Sequence, residues 1–124
     1  MALIETTVDK NRQLTIQTIT GEATFDEIAR AIKTYYEGVV TKFVLWDSSQ
    51  ALFDKVKASE VEALAAVAKR YSSCRQGGKT ALVFSSDLGF GIGRMFDTHH
   101  EILASKISHA SFRSREEAFK WLLE

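Results

Sequence analysis

Lys79-Thr80-Ala81-Leu82-Val83-Phe84-Ser85-Ser86-Asp87-Leu88-Gly89-Phe90-Gly91-Ile92-Gly93-Arg94-Met95-Phe96 is the stretch on which the fold turns. It contains four consecutive apolar residues, Ala81 to Phe84, in a run too short for a buried helix. Such a run fits a strand covered on both faces, as in a parallel sheet. Ser85-Ser86-Asp87 closes the strand, and a helix is expected to start within the glycine segment that follows. Its inner stripe would be Ile92, Met95, Phe96, His99, Ile102 and Leu103.

Upstream the same arrangement repeats. Lys42-Phe43-Val44-Leu45-Trp46-Asp47 is a second continuous apolar run, followed by a looser segment over residues 48–58. Residues 2–8 and 13–20 alternate as half-buried strands around the turn residues Asp9-Lys10-Asn11-Arg12, which makes an antiparallel hairpin. Three capping boxes mark helix starts: Thr24 to Glu27, Ser59 to Glu62 and Ser114 to Glu117. Phe25, Ile28, Ala29, Ile32 and Tyr36 stripe the first helix; Val61, Leu64, Ala65, Ala68 and Tyr71 stripe the second. A short strand over residues 107–112 precedes the last helix, anchored by Ala118, Phe119, Trp121 and Leu122. The order is β-β-α-β-α-β-α-β-α, an α/β chain read as one domain over residues 1–124 with a five-stranded mixed sheet. Each strand after the hairpin is followed by a helix, so its strands are expected to be mostly parallel.

Composition narrows the function classes. Sixteen Lys and Arg balance sixteen Asp and Glu, so no overall field draws in nucleic acid. Hydrophobic residues make up 45% of the chain, too many for disorder. Cys74 is the only cysteine and reads as a half-buried helix residue, which excludes an internal disulfide and a four-cysteine zinc site. MALIETTVDK lacks the pattern of a signal peptide, and no apolar run is long enough to span a bilayer. A cytoplasmic location is expected.

Candidate chemistry gathers at strand ends, where open parallel sheets usually bind ligands. Trp46-Asp47-Ser48-Ser49 and Phe84-Ser85-Ser86-Asp87 end two strands alike. If the strands are neighbours, these residues form a polar mouth; Ser and Asp also serve as ordinary turn and cap residues. Five of the seven glycines lie between residues 77 and 93. The segment from Gly89 to Arg94 matches neither the Walker pattern nor the dinucleotide fingerprint, so a nucleotide site is not indicated. Its apolar residues suit a mobile lid over an apolar pocket, a patch for a membrane or partner, or an irregular helix entry filling the core. Asp97, His99, His100 and Glu101 lack metal-ligand spacing, and His99 falls on the apolar stripe as a rim or core residue. His109 shows no partner, and no nucleophile motif is present.

Val44-Leu45-Trp46-Asp47, Gly77 to Val83, Gly91-Ile92-Gly93-Arg94-Met95-Phe96, and Phe112 through Leu122 together resemble the SpoIIAA-like family. The likeness runs from about Leu14 to Leu123. It implies a STAS-like fold and kinship to lipid-binding domains of the CRAL-TRIO type. It also implies binding of small apolar ligands or membrane association, with no established enzymatic activity. Anti-sigma-factor antagonists carry a phosphorylatable serine at a helix start, in an Asp-Ser-x-Gly context. Ser59 stands at the comparable place, but the Asp and Gly are missing and Glu60 would repel a phosphate.

The expected function is a non-enzymatic binding or regulatory module. A small apolar or amphipathic ligand would lie between the sheet and residues 88–96. Asp47, Ser48, Ser85 and Asp87 would form its polar mouth; Phe90, Ile92, Met95 and Phe96 its apolar wall; Arg94 would meet an anionic head group. The alternative is a partner switch phosphorylated at Ser59, and a third reading is an acid–base enzyme using Asp47 and Asp87. No metal, cofactor or nucleic acid is expected; peripheral membrane contact and homodimerisation are compatible with the reading.

Overall fold

A computed structural model describes residues 1–103 and 106–123. Its elements are β1 (Ala2–Asp9), β2 (Leu14–Glu22), α1 (Phe25–Glu37), β3 (Phe43–Leu52), α2 (Ala58–Arg70), a 3-10 turn (Ser72–Arg75), β4 (Lys79–Val83), α3 (Asp87–Ile102), β5 (Ser108–Phe112) and α4 (Arg115–Leu123). One five-stranded sheet has the order β1-β2-β3-β4-β5. The β1–β2 hairpin is antiparallel and β2 through β5 are parallel.

This order dictates the layering. Right-handed crossovers between successive neighbours that always step the same way place every crossover helix on one face. Accordingly α1, α2 and α3 share one face, and α4 alone crosses back to cover β3, β4 and β5 on the other. Strand alternation divides the core between the two faces. Leu14, Leu45, Ala81 and Val83 meet Ala118 and Leu122 of α4. Ile19, Trp46, Leu82 and Phe84 point to the three-helix side.

Local chemistry fixes the helix starts. Thr24 and Glu27 form the expected reciprocal box: the Glu27 amide donates to Thr24 Oγ1 (3.3 Å), and the Thr24 amide to Glu27 Oε1 (3.1 Å). Glu27 Oε2 also accepts from the Ala2 amide (2.9 Å), tying α1 to the edge strand. Ser114 Oγ accepts from the Glu117 amide (3.2 Å), as a capping serine does.

Three expectations are corrected. The second helix begins at Ala58, where the Glu60 carboxylate caps the Lys57 amide (2.9 Å), so Ser59 lies in the first turn and is not the cap. β3 continues to Leu52, taking in residues expected to be loose, because Gln50, Ala51 and Leu52 pair with Thr20, Gly21 and Glu22 of β2. The third helix begins ahead of the glycine segment and not within it. Ser86 caps α3 by accepting from the Gly89 amide (3.0 Å), and all three glycines lie inside the helix. Two of them let α3 press onto the strands. A Cβ at Gly93 would overlap the Phe84 ring and stand 2.6 Å from Ser111 Oγ; one at Gly89 would stand 3.0 Å from Phe84.

The buried face of α3 therefore runs through Gly89, Gly93 and His100. His100 is 2% exposed, whereas Ile102, expected on the inner stripe, is 72% exposed. Cys74 is exposed in the 3-10 turn, not half-buried in a helix.

Candidate functional site

Between the three-helix layer and the sheet lies a cavity of about 90 Å³. Ile19, Leu82 and Phe84 form its floor, with Ile28 and Ile32 of α1 on one side. Leu64 and Ala68 of α2, and Ile92, Gly93 and Phe96 of α3, complete the walls. Ala68 presents only a methyl group to this space, whereas Gly93 brings α3 into direct contact with Phe84. It is smaller than the roughly 150 Å³ engineered cavity that takes a benzene ring. Its occupant is limited to a small molecule or a short part of a larger one.

Polar groups interrupt the apolar lining at a few points. Ser48, buried on β3, lies toward the carboxyl ends of the strands. Tyr36, Arg75, Thr80 and His109 lie toward their amino ends. The spine of this second group is Arg75, 6% exposed, which donates to Thr41 O (2.8 Å), Lys42 O (2.9 Å) and Lys79 O (2.8 Å). Tyr36, whose ring stacks on Tyr71 with centroids 5.0 Å apart, has its phenol pKa raised by burial.

The expected site residues separate into three places. Ser48, Ile92 and Phe96 line the cavity. Asp47, one residue before Ser48 on the strand, points to the opposite face. There its carboxylate accepts from the Ser49 hydroxyl (2.7 Å), the Ser49 amide (3.0 Å) and Arg115 Nε (2.9 Å). Burial pushes the Asp47 carboxyl up, but these three bonds outweigh it and hold the pKa below the ordinary carboxylate value. Asp87 is exposed in the first turn of α3 and pairs with Arg113 at 2.9 Å. Each carboxylate thus pairs with an arginine of its own.

The remaining expected residues lie outside the cavity lining. Ser85 donates to Ser49 O (2.6 Å), linking the ends of β3 and β4. Phe90 packs in the core beneath Arg113, whose guanidinium carbon is 4.4 Å from the ring centroid. Arg94 is exposed, 6.0 Å from the same ring, and Met95 is half-buried on α3. Ser59 is exposed.

One cluster escaped the sequence reading. His109 of β5 stacks on His100 of α3, and Phe96 lies 4.9 Å from His100 and 5.3 Å from His109, ring centroid to centroid. Burial lowers the His100 pKa to about 4. Burial, reinforced by the charges of His100 and Arg75, holds His109 well below the ordinary histidine value. On the same helix, burial raises Asp97 to about 6, although Ser111 donates to its Oδ2 (2.8 Å). Among the described residues, no group of His, Cys, Asp or Glu side chains is arranged to hold a metal ion.

With this geometry in view, solved structures supply the comparison. The chain matches an uncharacterized protein of the DUF3478 family with a SpoIIAA-like fold from Shewanella loihica PV-4. That match has a TM-score of 0.57 and 12% identity over 98% of this chain and 93% of that one. It also matches the anti-sigma factor antagonist SpoIIAA in its unphosphorylated form, with a TM-score of 0.52 and 16% identity over 96% of both chains. The chain has the SpoIIAA-like fold. The expected STAS-like architecture and element order hold. No protein-family model and no curated protein matches this chain by sequence. Identities this low carry the fold and no ligand or partner. None of its described helices is long and apolar enough to cross a membrane.

Proposed function

We propose that this SpoIIAA-like chain is a non-enzymatic binding module that holds a small apolar or amphipathic ligand in the cavity between α1–α3 and the sheet. The observation that carries this reading is the cavity itself, about 90 Å³ of apolar-walled space. Interiors ordinarily pack with few voids larger than a water, so the space is a costly feature for a domain this small. A few polar groups set in an apolar wall are the usual make-up of a ligand site. Leu52 and Leu88, exposed near the carboxyl ends of the strands, supply an apolar surface for a membrane or partner.

Native mass spectrometry of the purified protein tests the cavity reading. A bound small molecule is expected on the wild type and is lost in the cavity-filling variant Ala68→Leu. A wild type with no adduct, and no response to added small apolar probes, contradicts it. Co-sedimentation with lipid vesicles tests the surface separately.

A partner switch is the second reading, favoured by the fold shared with SpoIIAA and by Ser59, exposed in the first turn of α2 and relieved of any capping duty. Glu60 next to it opposes a phosphate. Intact-mass measurement of protein from its host cells, with Ser59→Ala as control, decides this: a phosphate mass lost in the variant supports it, and an unmodified chain in every growth phase opposes it.

A further inference from the structure

The amino-end pole of the cavity is built around a charge that has no carboxylate partner among the described residues. Arg75 uses all five of its N–H groups: three on the carbonyls of Thr41, Lys42 and Lys79, one on Thr80 Oγ1 (2.8 Å) and one on Tyr36 Oη (3.3 Å). Every one of these acceptors is neutral. Among the described residues, no carboxylate lies within ion-pair distance of this guanidinium. Buried charges are ordinarily paired. Here the hydrogen bonds are satisfied but the charge is not.

Two of the acceptors belong to residues that line the cavity. Tyr36 and Thr80 both line it, and both accept from the same guanidinium nitrogen, Nη1. Each hydroxyl therefore keeps its own proton for a further acceptor, and neither has one among the described residues. A neighbouring cation polarises such hydroxyls and makes them better donors. Burial also keeps the Tyr36 phenol protonated. The pole thus offers two O–H donors and one uncompensated positive charge, at one end of a mostly apolar space.

We propose that the cavity takes a small carboxylate of at most about six non-hydrogen atoms. Its two oxygens would accept from Tyr36 and Thr80, beside Arg75, and its alkyl part would lie against Ile32, Leu82 and Phe96. The proposal names the ligand class for the cavity reading above and rests on it. The two-oxygen head matches the two free donors. The apolar walls disfavour phosphate, whose further charge and oxygens would go unmet.

Butyrate and its neutral counterpart butyramide separate the two levels of the claim. Both are titrated into the full-length chain at pH 7 and followed by amide chemical shifts. Butyrate is expected to bind at least about ten-fold more tightly than butyramide, shifting residues around Thr80 and Leu82, and Tyr36→Phe is expected to weaken butyrate by about ten-fold. Replacing Arg75 itself would orphan three backbone carbonyls and risk unfolding, so the probe pair and the Tyr36 variant carry the test. Butyramide binding as tightly as butyrate, or unchanged butyrate affinity in Tyr36→Phe, overturns the carboxylate assignment and leaves the cavity reading standing. If neither probe shifts the cavity residues, both are overturned.

Discussion

The imidazole rings of His100 and His109 stack with centroids 3.7 Å apart and planes 25° from parallel, joining α3 to β5 beneath the helical layer. Both His100 ring nitrogens and His109 Nδ1 are buried without a hydrogen-bond partner among the described residues. Two such rings in contact cannot both be charged cheaply. The pair is a neutral packing element at pH 7 that acid attacks.

The sign of its pH dependence follows from the lowered pKa values. Above the unfolded histidine pKa near 6.5 both states are neutral and the full packing stability is present. As pH falls from there toward about 4, the unfolded chain takes up protons that folded His100 resists, and stability is lost. The shift corresponds to about 3 kcal/mol for His100. Urea midpoints between pH 7.5 and 4 are expected to fall, and His100→Phe is expected to flatten that fall. An identical slope in the variant contradicts the assignment.

Asp97 acts in the opposite direction. Its folded pKa is raised to about 6, so it contributes stability below the unfolded carboxylate value near 3.8 and loses it as pH rises through 6. At pH 8 the half-buried carboxylate is charged, and its buried Oδ1 has no hydrogen-bond partner among the described residues. Asp97→Asn keeps an acceptor for Ser111 and removes the charge. It is expected to stabilise the protein at pH 8 by about 1–2 kcal/mol, or roughly 4–8 °C in Tm, with a much smaller gain at pH 4. Thermal melts at the two pH values check it.

The glycines of α3 predict opposite outcomes. Gly91 is exposed, and a Cβ there meets nothing within 4 Å, so Gly91→Ala is expected to stabilise the fold by about 0.5–1 kcal/mol. Gly93 has the Phe84 ring and Ser111 against it, so Gly93→Ala is expected to cost about 1–3 kcal/mol. Denaturant unfolding of the two variants gives both signs.

The two aspartate–arginine pairs are unequal. The Asp47 side chain is 12% exposed and that of Asp87 is 97% exposed. Arg115→Ala leaves a buried carboxylate short of its partner, and at pH 7 a loss of about 1 kcal/mol is expected, because Arg115 is itself half exposed. Asp87→Asn is expected to leave the urea midpoint unchanged. Equal effects would contradict the difference in burial.

Much of this architecture is legible in local chemistry. Thr24 and Glu27 announce α1, and the apolar runs beginning at Phe43 and Ala81 announce strands covered on both faces. The glycine segment misleads because glycine is read first as a turn residue. Its close-packing role depends on Phe84 and Ser111, which only the folded chain brings against it. The spacing of Gly89 and Gly93, four residues apart, was the available signal for a helix face pressed onto a sheet. Reading Ile102 as an anchor rotated the α3 stripe by one residue and selected His99 in place of His100. Strand alternation already separates Asp47 from Ser48, since neighbours on a strand point to opposite faces. Arg75 carries no motif: Thr80 and Lys79 of β4 are near it in sequence, but its partners Tyr36 of α1 and Thr41 and Lys42 of the α1–β3 connection are brought to it only by the fold.

The central claim is that the space between α1–α3 and the sheet admits a ligand. Its most direct test is an amide chemical-shift titration of the wild type with xenon, a neutral apolar probe smaller than benzene, set against the Ala68→Leu variant. The account predicts saturable shifts confined to residues around the cavity, such as Ile32, Leu64, Leu82 and Phe96, and their loss in the filled variant. Shifts scattered over the surface, or none, would contradict it.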